Sequence, residues 1–131
     1  MEITPFSINI EESVLEDLKK RLGRTLYPHD LDNADWKYGT NTDYLRELVE
    51  YWHSDYDWRA VEKEINSRAN FQTEIDGMPI HFIHERGKGP DPIPLILSHG
   101  WPWTFWDFRD VIGPLSDPAA HGGDPADAFD V

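Results

Sequence analysis

The feature that most constrains this chain is a short apolar run, Pro94-Leu95-Ile96-Leu97, which ends abruptly in Ser98-His99-Gly100-Trp101-Pro102. A strand covered on both faces of a parallel sheet reads as an unbroken apolar run, not as an alternation. Open α/β sheets bind their ligands at the carboxyl ends of such strands. The sequence therefore predicts a buried parallel strand over residues 93–98 and places any chemistry at residues 99–103.

Three helical patterns precede this run. Apolar residues recur at helical spacing in residues 9–23, 42–53 and 58–68, and an irregular meander joins the first two segments. We expect Asn9 to cap the first helix together with Glu12, as in an approximate capping box. We expect Asp55 and Asp57 to cap the start of the third helix. We expect Trp52 and Trp58 to lie in a buried core.

The remaining patterns belong to a sheet and one more helix. Residues 71–84 alternate apolar and polar positions around Asp76-Gly77, which predicts a β-hairpin. The spacing of apolar residues in 105–112 predicts a fourth helix closed by Gly113-Pro114. Residues 128–131 read as the start of another strand. Because so few strands seldom make a stable sheet alone, we expect the first part of a larger α/β domain.

Composition excludes several classes of function. A formal net charge of -13 opposes binding to nucleic-acid phosphates and to anionic membrane surfaces, so we expect no nucleic-acid and no membrane partner. The chain has no cysteine, which removes thiol chemistry and disulfides and permits a reducing compartment. No apolar run approaches the roughly 20 residues that span a bilayer. We expect a soluble, cytoplasmic protein.

The turn after the apolar run offers a backbone donor. Pro102 has no N–H and disfavours helical geometry at Trp101, so we expect an extended Trp101 whose N–H points outward and can serve a developing oxyanion. Gly100 permits close approach of the backbone. Trp103 could form the wall of an apolar pocket. The plain alternative is an ordinary strand-to-loop turn, which a lone His-Gly would favour by roughly five to one.

Further motifs lie in a fixed order along nearly the whole chain. They are Tyr51-Trp52, Tyr56-Asp57-Trp58-Arg59, Ile75-Asp76-Gly77, Ile80-His81-Phe82, His99-Gly100-Trp101-Pro102 and Asp127-Ala128-Phe129-Asp130-Val131. In this combination the chain resembles the N-terminal region of the microsomal-type epoxide hydrolases, which have the α/β-hydrolase fold. The resemblance implies a helical strap over residues 1–70 and the incomplete start of an α/β-hydrolase core over residues 71–131.

The resemblance also implies a reaction. Family members open a small apolar epoxide with an aspartate, and a histidine-activated water then cleaves the resulting ester. The residue matching Trp101 gives one oxyanion N–H, and His99, Gly100 and Pro102 shape the loop. The nucleophile, the lid tyrosines and the catalytic histidine follow the matched region, so we expect this chain to be inactive alone. The resemblance implies no cofactor and no metal.

Two points stay open at this stage. Trp103 stands where family members usually have glycine, which either reshapes the pocket or disables the site. The chain could also be a non-catalytic module whose open sheet edge is covered by self-association or by a partner, or part of another α/β-hydrolase such as a dehalogenase or esterase. His81 and His84 are three apart on a strand, so they should face opposite sides and bind no common metal.

Overall fold

The computed structural model describes residues 2–131 as an α/β chain with two compact units, one formed by residues 9–61 and the other by residues 2–8 with 62–131. The division at residues 70 and 71 that the resemblance implies stays a prediction. The helices are α1 (Glu12–Leu22), α2 (Thr42–Ser54), α3 (Trp58–Asn66) and α4 (Arg109–Ser116), and the strands are β1 (Ile3–Pro5), β2 (Asn70–Ile75), β3 (Met78–Ile83), β4 (Ile93–Pro94) and β5 (Phe129–Asp130). Short 3-10 helices cover Phe105–Phe108, Pro118–His121 and Pro125–Asp127. Among residues 2–131, no helix has the length and apolar character needed to cross a membrane.

The first three helices form where the periodicity predicts them, but one cap differs. Asn41 caps α2 as its side chain accepts a hydrogen bond from the Tyr44 N–H at 3.0 Å. The predicted cap of α1 by Asn9 is wrong. The chain enters α1 through Glu11, whose backbone carbonyl accepts from the Val14 N–H at 3.0 Å, so Asn9 lies outside the first turn.

The helical unit leaves its apolar stripes partly open. Trp52, expected in the core, is 44% exposed and lines an open groove of about 770 Å³ with Leu18 and Leu48. Trp58 is half-buried. A unit of this size has too few elements to enclose every apolar side chain. Asp57 does cap α3, since its carboxylate accepts from the Ala60 N–H at 3.1 Å.

Asp55 has a different place from Asp57. It is the C-terminal cap of α2, and its backbone N–H donates to the Tyr51 carbonyl. Its position therefore ends one helix and does not begin the next, which corrects the expectation that both acids start the third helix.

The predicted β-hairpin is confirmed as β2 and β3. It belongs to an antiparallel sheet of order β1-β2-β3, in which Thr73 pairs with Ile3 on one side and Ile80 on the other. The turn residues Asp76 and Gly77 have φ of 52° and 78°. Two positive φ values are what a two-residue hairpin turn requires, because its twist then matches that of the strands.

The predicted buried strand over residues 93–98 is wrong in length and in burial. Only Ile93–Pro94 is a strand; Ile93 is 55% exposed and Ile96 is 92% exposed. The pairing with β5 is parallel, as expected, and ends when the Leu95 N–H donates to the Asp130 carbonyl at 2.8 Å. A parallel strand is buried only when neighbours cover both edges and both faces, and within residues 2–131 β5 is its one neighbour.

The fourth helix extends beyond its predicted end. The 3-10 turn at Phe105–Phe108 leads directly into α4, and Pro114 lies inside that helix. Pro114 removes a single N–H donor, while the Asp117 N–H still bonds to the Gly113 carbonyl at 2.8 Å. The helix therefore continues past Gly113-Pro114, and it buries Ile112 against the rest of its unit.

The hairpin turn yields a stability test. We expect Gly77→Ala to lower the free energy of unfolding by about 1 to 2 kcal/mol, since an L-residue at φ +78° is in the left-handed region. Gly113→Ala is the matched control. It lies in α4, where its added methyl group meets the His121 ring at 3.4 Å, and alanine there should be neutral or stabilising by up to about 1 kcal/mol. Urea denaturation measures both, and equal effects would contradict the turn assignment.

Candidate functional site: the HGWP loop

The HGWP loop, residues 98–104, is a tight turn between β4 and the Phe105–Phe108 helix. The Trp101–Pro102 peptide bond is cis. The Trp103 N–H donates to the Gly100 carbonyl at 2.8 Å and closes the turn. A cis proline at the third position is characteristic of type VI turns. The sequence predicted a turn here but not the cis bond.

Trp101 presents an available donor. Its residue surface is 94% exposed, and its N–H donates to no acceptor within residues 2–131. Oxyanion stabilisation requires a fixed N–H that is not already occupied by another acceptor. The geometry is compatible with that chemistry, and the role of Trp101 stays a prediction.

The other predicted loop residues are exposed as well. Within the described residues His99 makes no hydrogen bond that would hold the loop. Apart from its chain neighbours, no described atom lies within 4 Å of the position that a Cβ of Gly100 would occupy, and the role of Gly100 in shaping the loop stays a prediction. Trp103 is 64% exposed and is not among the residues with positive φ, so a tryptophan fits its backbone without strain.

The upstream end of the loop is held through β5. Beyond the Leu95 bond to the Asp130 carbonyl, the Asp130 carboxylate accepts from the Gly87 N–H at 2.7 Å and from the Arg86 guanidinium at 2.8 Å. These bonds hold the pKa of Asp130 below its ordinary value, with the Gly87 N–H as the larger cause. The strand pair that delivers the loop is thus tied to the segment following the hairpin.

The downstream end begins with a capping box. The Asp107 carboxylate accepts from the Thr104 N–H at 2.7 Å, and the Thr104 hydroxyl accepts from the Trp106 N–H at 3.3 Å. Next to it, the Phe105 ring meets the His81 ring edge-on, with 4.6 Å between centroids. The downstream end of the loop is therefore packed against strand β3.

A buried amide holds His81 in place. Asn70 is 5% exposed, and its side-chain NH₂ donates to the carbonyls of Ile65 at 2.7 Å and Arg68 at 2.9 Å. Its Oδ1 therefore faces His81 Nε2, at 2.9 Å, and the histidine must be the donor. Phe6 packs on the same imidazole at 5.2 Å between centroids.

Asn70 is a residue of this site that the sequence patterns did not predict. Its signal was the hairpin register: a turn at Asp76-Gly77 pairs Gln72 with His81 and so sets Asn70 diagonally across from that histidine. His84 contacts Phe71 on the other face of the sheet, as expected from strand geometry. Within residues 2–131, no three His, Asp or Glu side chains cluster closely enough to hold a metal ion.

Comparison with known proteins decides the family. A family model described as "Epoxide hydrolase N terminus" matches residues 3–108. The chain belongs to the epoxide hydrolase N-terminal family. A Stigmatella aurantiaca protein whose name provisionally assigns it to the epoxide hydrolases is 46% identical over 98% of this chain and 29% of its own length. Epoxide hydrolase 1 of Oryctolagus cuniculus is 35% identical, also over 98% of this chain and 29% of its own length.

Solved epoxide hydrolases share the fold. The structure of Aspergillus niger epoxide hydrolase superposes with a TM-score of 0.80 at 30% identity, over 95% of this chain and 32% of that one. Juvenile hormone epoxide hydrolase of Bombyx mori gives a TM-score of 0.79 at 32% identity, over 87% of this chain and 31% of that one. The fold is that of the N-terminal portion of an α/β-hydrolase, and the chain spans about a third of these epoxide hydrolases.

The His81 environment predicts a pH dependence. Burial lowers the pKa of His81 below its ordinary value of 6.5. The unfolded chain therefore binds a proton at this residue more readily than the folded chain does. The free energy of unfolding should fall as the pH drops through 6.5. In His81→Gln, which keeps a donor for Asn70, urea midpoints should decline less between about pH 8 and pH 5.5. The urea midpoint should still decline near pH 4 in this variant, because the lowered pKa values of Asp30, Asp117 and Asp130 stabilise the folded chain only while these carboxylates are ionised. An unchanged decline between pH 8 and 5.5 would contradict this account.

Proposed function

We propose that this chain is the N-terminal part of an epoxide-hydrolysing enzyme and that it contributes one oxyanion donor, the N–H of Trp101. The substrate is a small apolar epoxide, and the product is the vicinal diol. The observation that carries the proposal is that Trp101 is an exposed residue within a closed turn and that its backbone N–H has no acceptor among residues 2–131, in a chain of this family. The named relatives favour this chemistry over that of a dehalogenase or an esterase.

The proposed reaction has two steps. An aspartate attacks an epoxide carbon, the ring C–O bond breaks, and a tyrosine protonates the alkoxide. Water, deprotonated by a histidine, then attacks the ester carbonyl, and negative charge gathers on the carbonyl oxygen. The N–H of Trp101 donates to that oxygen while the charge is present. The ester C–O bond then breaks, the proton left on the attacking water oxygen passes to the departing alkoxide, and the diol leaves as the aspartate carboxylate is restored. The proton held by the histidine returns to the tyrosinate. In this proposal the aspartate, tyrosines and histidine come from the part of the fold that the chain does not span.

In the same proposal, the remaining strands of the core cover the apolar run before the loop. Ile96 is 92% exposed beside the two-stranded β4-β5 sheet, in which no strand among residues 2–131 pairs with the outer edge of β4. The remaining strands of an α/β-hydrolase core would pair with that edge and cover Ile96. Self-association is the weaker alternative, since two copies that each carry a net charge of -13 repel one another.

A chimera tests the proposed function. The chain replaces the matching N-terminal residues of Aspergillus niger epoxide hydrolase, with which it superposes at a TM-score of 0.80. We expect the chimera to convert styrene oxide to the diol and the 131-residue chain alone to give no turnover above background. Circular dichroism establishes that the chimera is folded. A folded chimera without turnover, or turnover by the chain alone, would contradict the proposal.

A further inference from the structure

We propose that His81 is a positioning residue for the HGWP loop: through Phe105 it fixes where the Trp101 N–H lies. This inference rests on the proposed role of the loop in epoxide hydrolysis. It assigns a task to a strand residue whose aromatic contact in this region is with Phe105 rather than with the loop's donor.

The loop has little means of positioning itself. Trp101 is 94% exposed and Trp103 is 64% exposed, so neither side chain is packed firmly against the fold. The internal bond from the Trp103 N–H to the Gly100 carbonyl closes the turn but does not tie it to the rest of the fold, so its persistence depends on how firmly the two ends of the turn are held. The position of the turn must therefore come from its two ends.

The two ends differ in strength. Upstream, regular pairing stops at Leu95, which leaves five residues before Trp101 without a strand partner. Downstream, Phe105 follows Trp103 by two residues, and its ring lies 4.6 Å from that of His81. The Thr104–Asp107 capping box makes the short link between turn and ring stiff. The downstream anchor is thus both nearer to the turn and better defined.

Hydrogen bonding makes His81 a rigid anchor. Its Nε2–H donates to Asn70 Oδ1 at 2.9 Å, and the Asn70 amide cannot turn over because its NH₂ group is engaged by two backbone carbonyls. Phe6 closes on the imidazole at 5.2 Å between centroids. An aliphatic side chain in this position would fill space but would fix no ring orientation for the edge-on contact with Phe105.

Amide exchange measured by NMR on the 131-residue chain tests the inference without any epoxide chemistry. The rate at the Trp103 amide is taken relative to that at the Asp55 amide, which donates to the Tyr51 carbonyl at 2.9 Å within the helical unit. We expect His81→Leu and Phe105→Leu each to accelerate the relative exchange of Trp103 at least fivefold. The conservative variant Phe105→Tyr should keep the relative exchange rate of Trp103 within twofold of that in the unsubstituted chain.

Phe82→Leu is the matched control. It also removes one ring from an aromatic pair in the same hairpin, the Phe71–Phe82 stack at 5.7 Å, but on the opposite face of the sheet. We expect it to leave the relative exchange of Trp103 within twofold. An acceleration below fivefold in either His81→Leu or Phe105→Leu, or an equal acceleration in Phe82→Leu, would overturn the inference.

A second readout needs no variant and so does not depend on variants that fold. At a pH where His81 is neutral, its ring ¹⁵N shifts should show a protonated Nε2 and a bare Nδ1, because Asn70 offers only an acceptor. A protonated Nδ1 with a bare Nε2 would contradict the hydrogen bond from His81 to Asn70 and would overturn the inference. If exchange and tautomer agree with the inference while a folded chimera is inactive, the proposed function fails and the positioning of the loop stands.

Discussion

The buried side-chain amide of Asn70 joins segments of the chain that local structure would not hold together. Its two donors engage the carbonyls of Ile65 at the end of α3 and of Arg68 just beyond it, and its oxygen accepts from His81 on β3. A buried amide with a missing partner would cost about 1 to 3 kcal/mol, so the helix end and the hairpin must keep their relation for all three bonds to persist. The aromatic contacts of His81 follow from this fixed frame.

The HGWP loop depends on that frame because its own residues are exposed. A catalytic donor has to be placed within a few tenths of an ångström of the atom that it serves, and an exposed tryptophan supplies no such precision. In our proposal the precision comes from a strand pair on one side and an aromatic contact on the other. The proposed donor then lies in a loop whose two ends are held by these contacts, and the remaining strands of an α/β-hydrolase core would cover the apolar run beside it.

The sequence predicted the features whose causes are local. The hairpin follows from Asp76-Gly77 and the alternation around it, and α2 follows from its apolar stripe, to which the structure adds the cap at Asn41. The sequence predicted a buried run near Ile96, but the run is exposed in the structure, because burial depends on neighbouring strands rather than on the run itself. Asn70 escaped notice because a lone polar residue on a strand reads as solvent-facing until the pairing register sets it beside a histidine. The donor at Trp101 was predicted from proline chemistry, whereas its anchor depends on contacts distant in sequence.

The most direct measurement of the central claim is a crystal structure of the Aspergillus niger chimera with the ester intermediate trapped by replacement of the water-activating histidine. The distance that matters joins the Trp101 nitrogen to the ester carbonyl oxygen. The account predicts about 2.7 to 3.1 Å, the range of an oxyanion hydrogen bond, with Phe105 still against His81. A Trp101 N–H that points to solvent, more than about 4 Å from that oxygen, would contradict it.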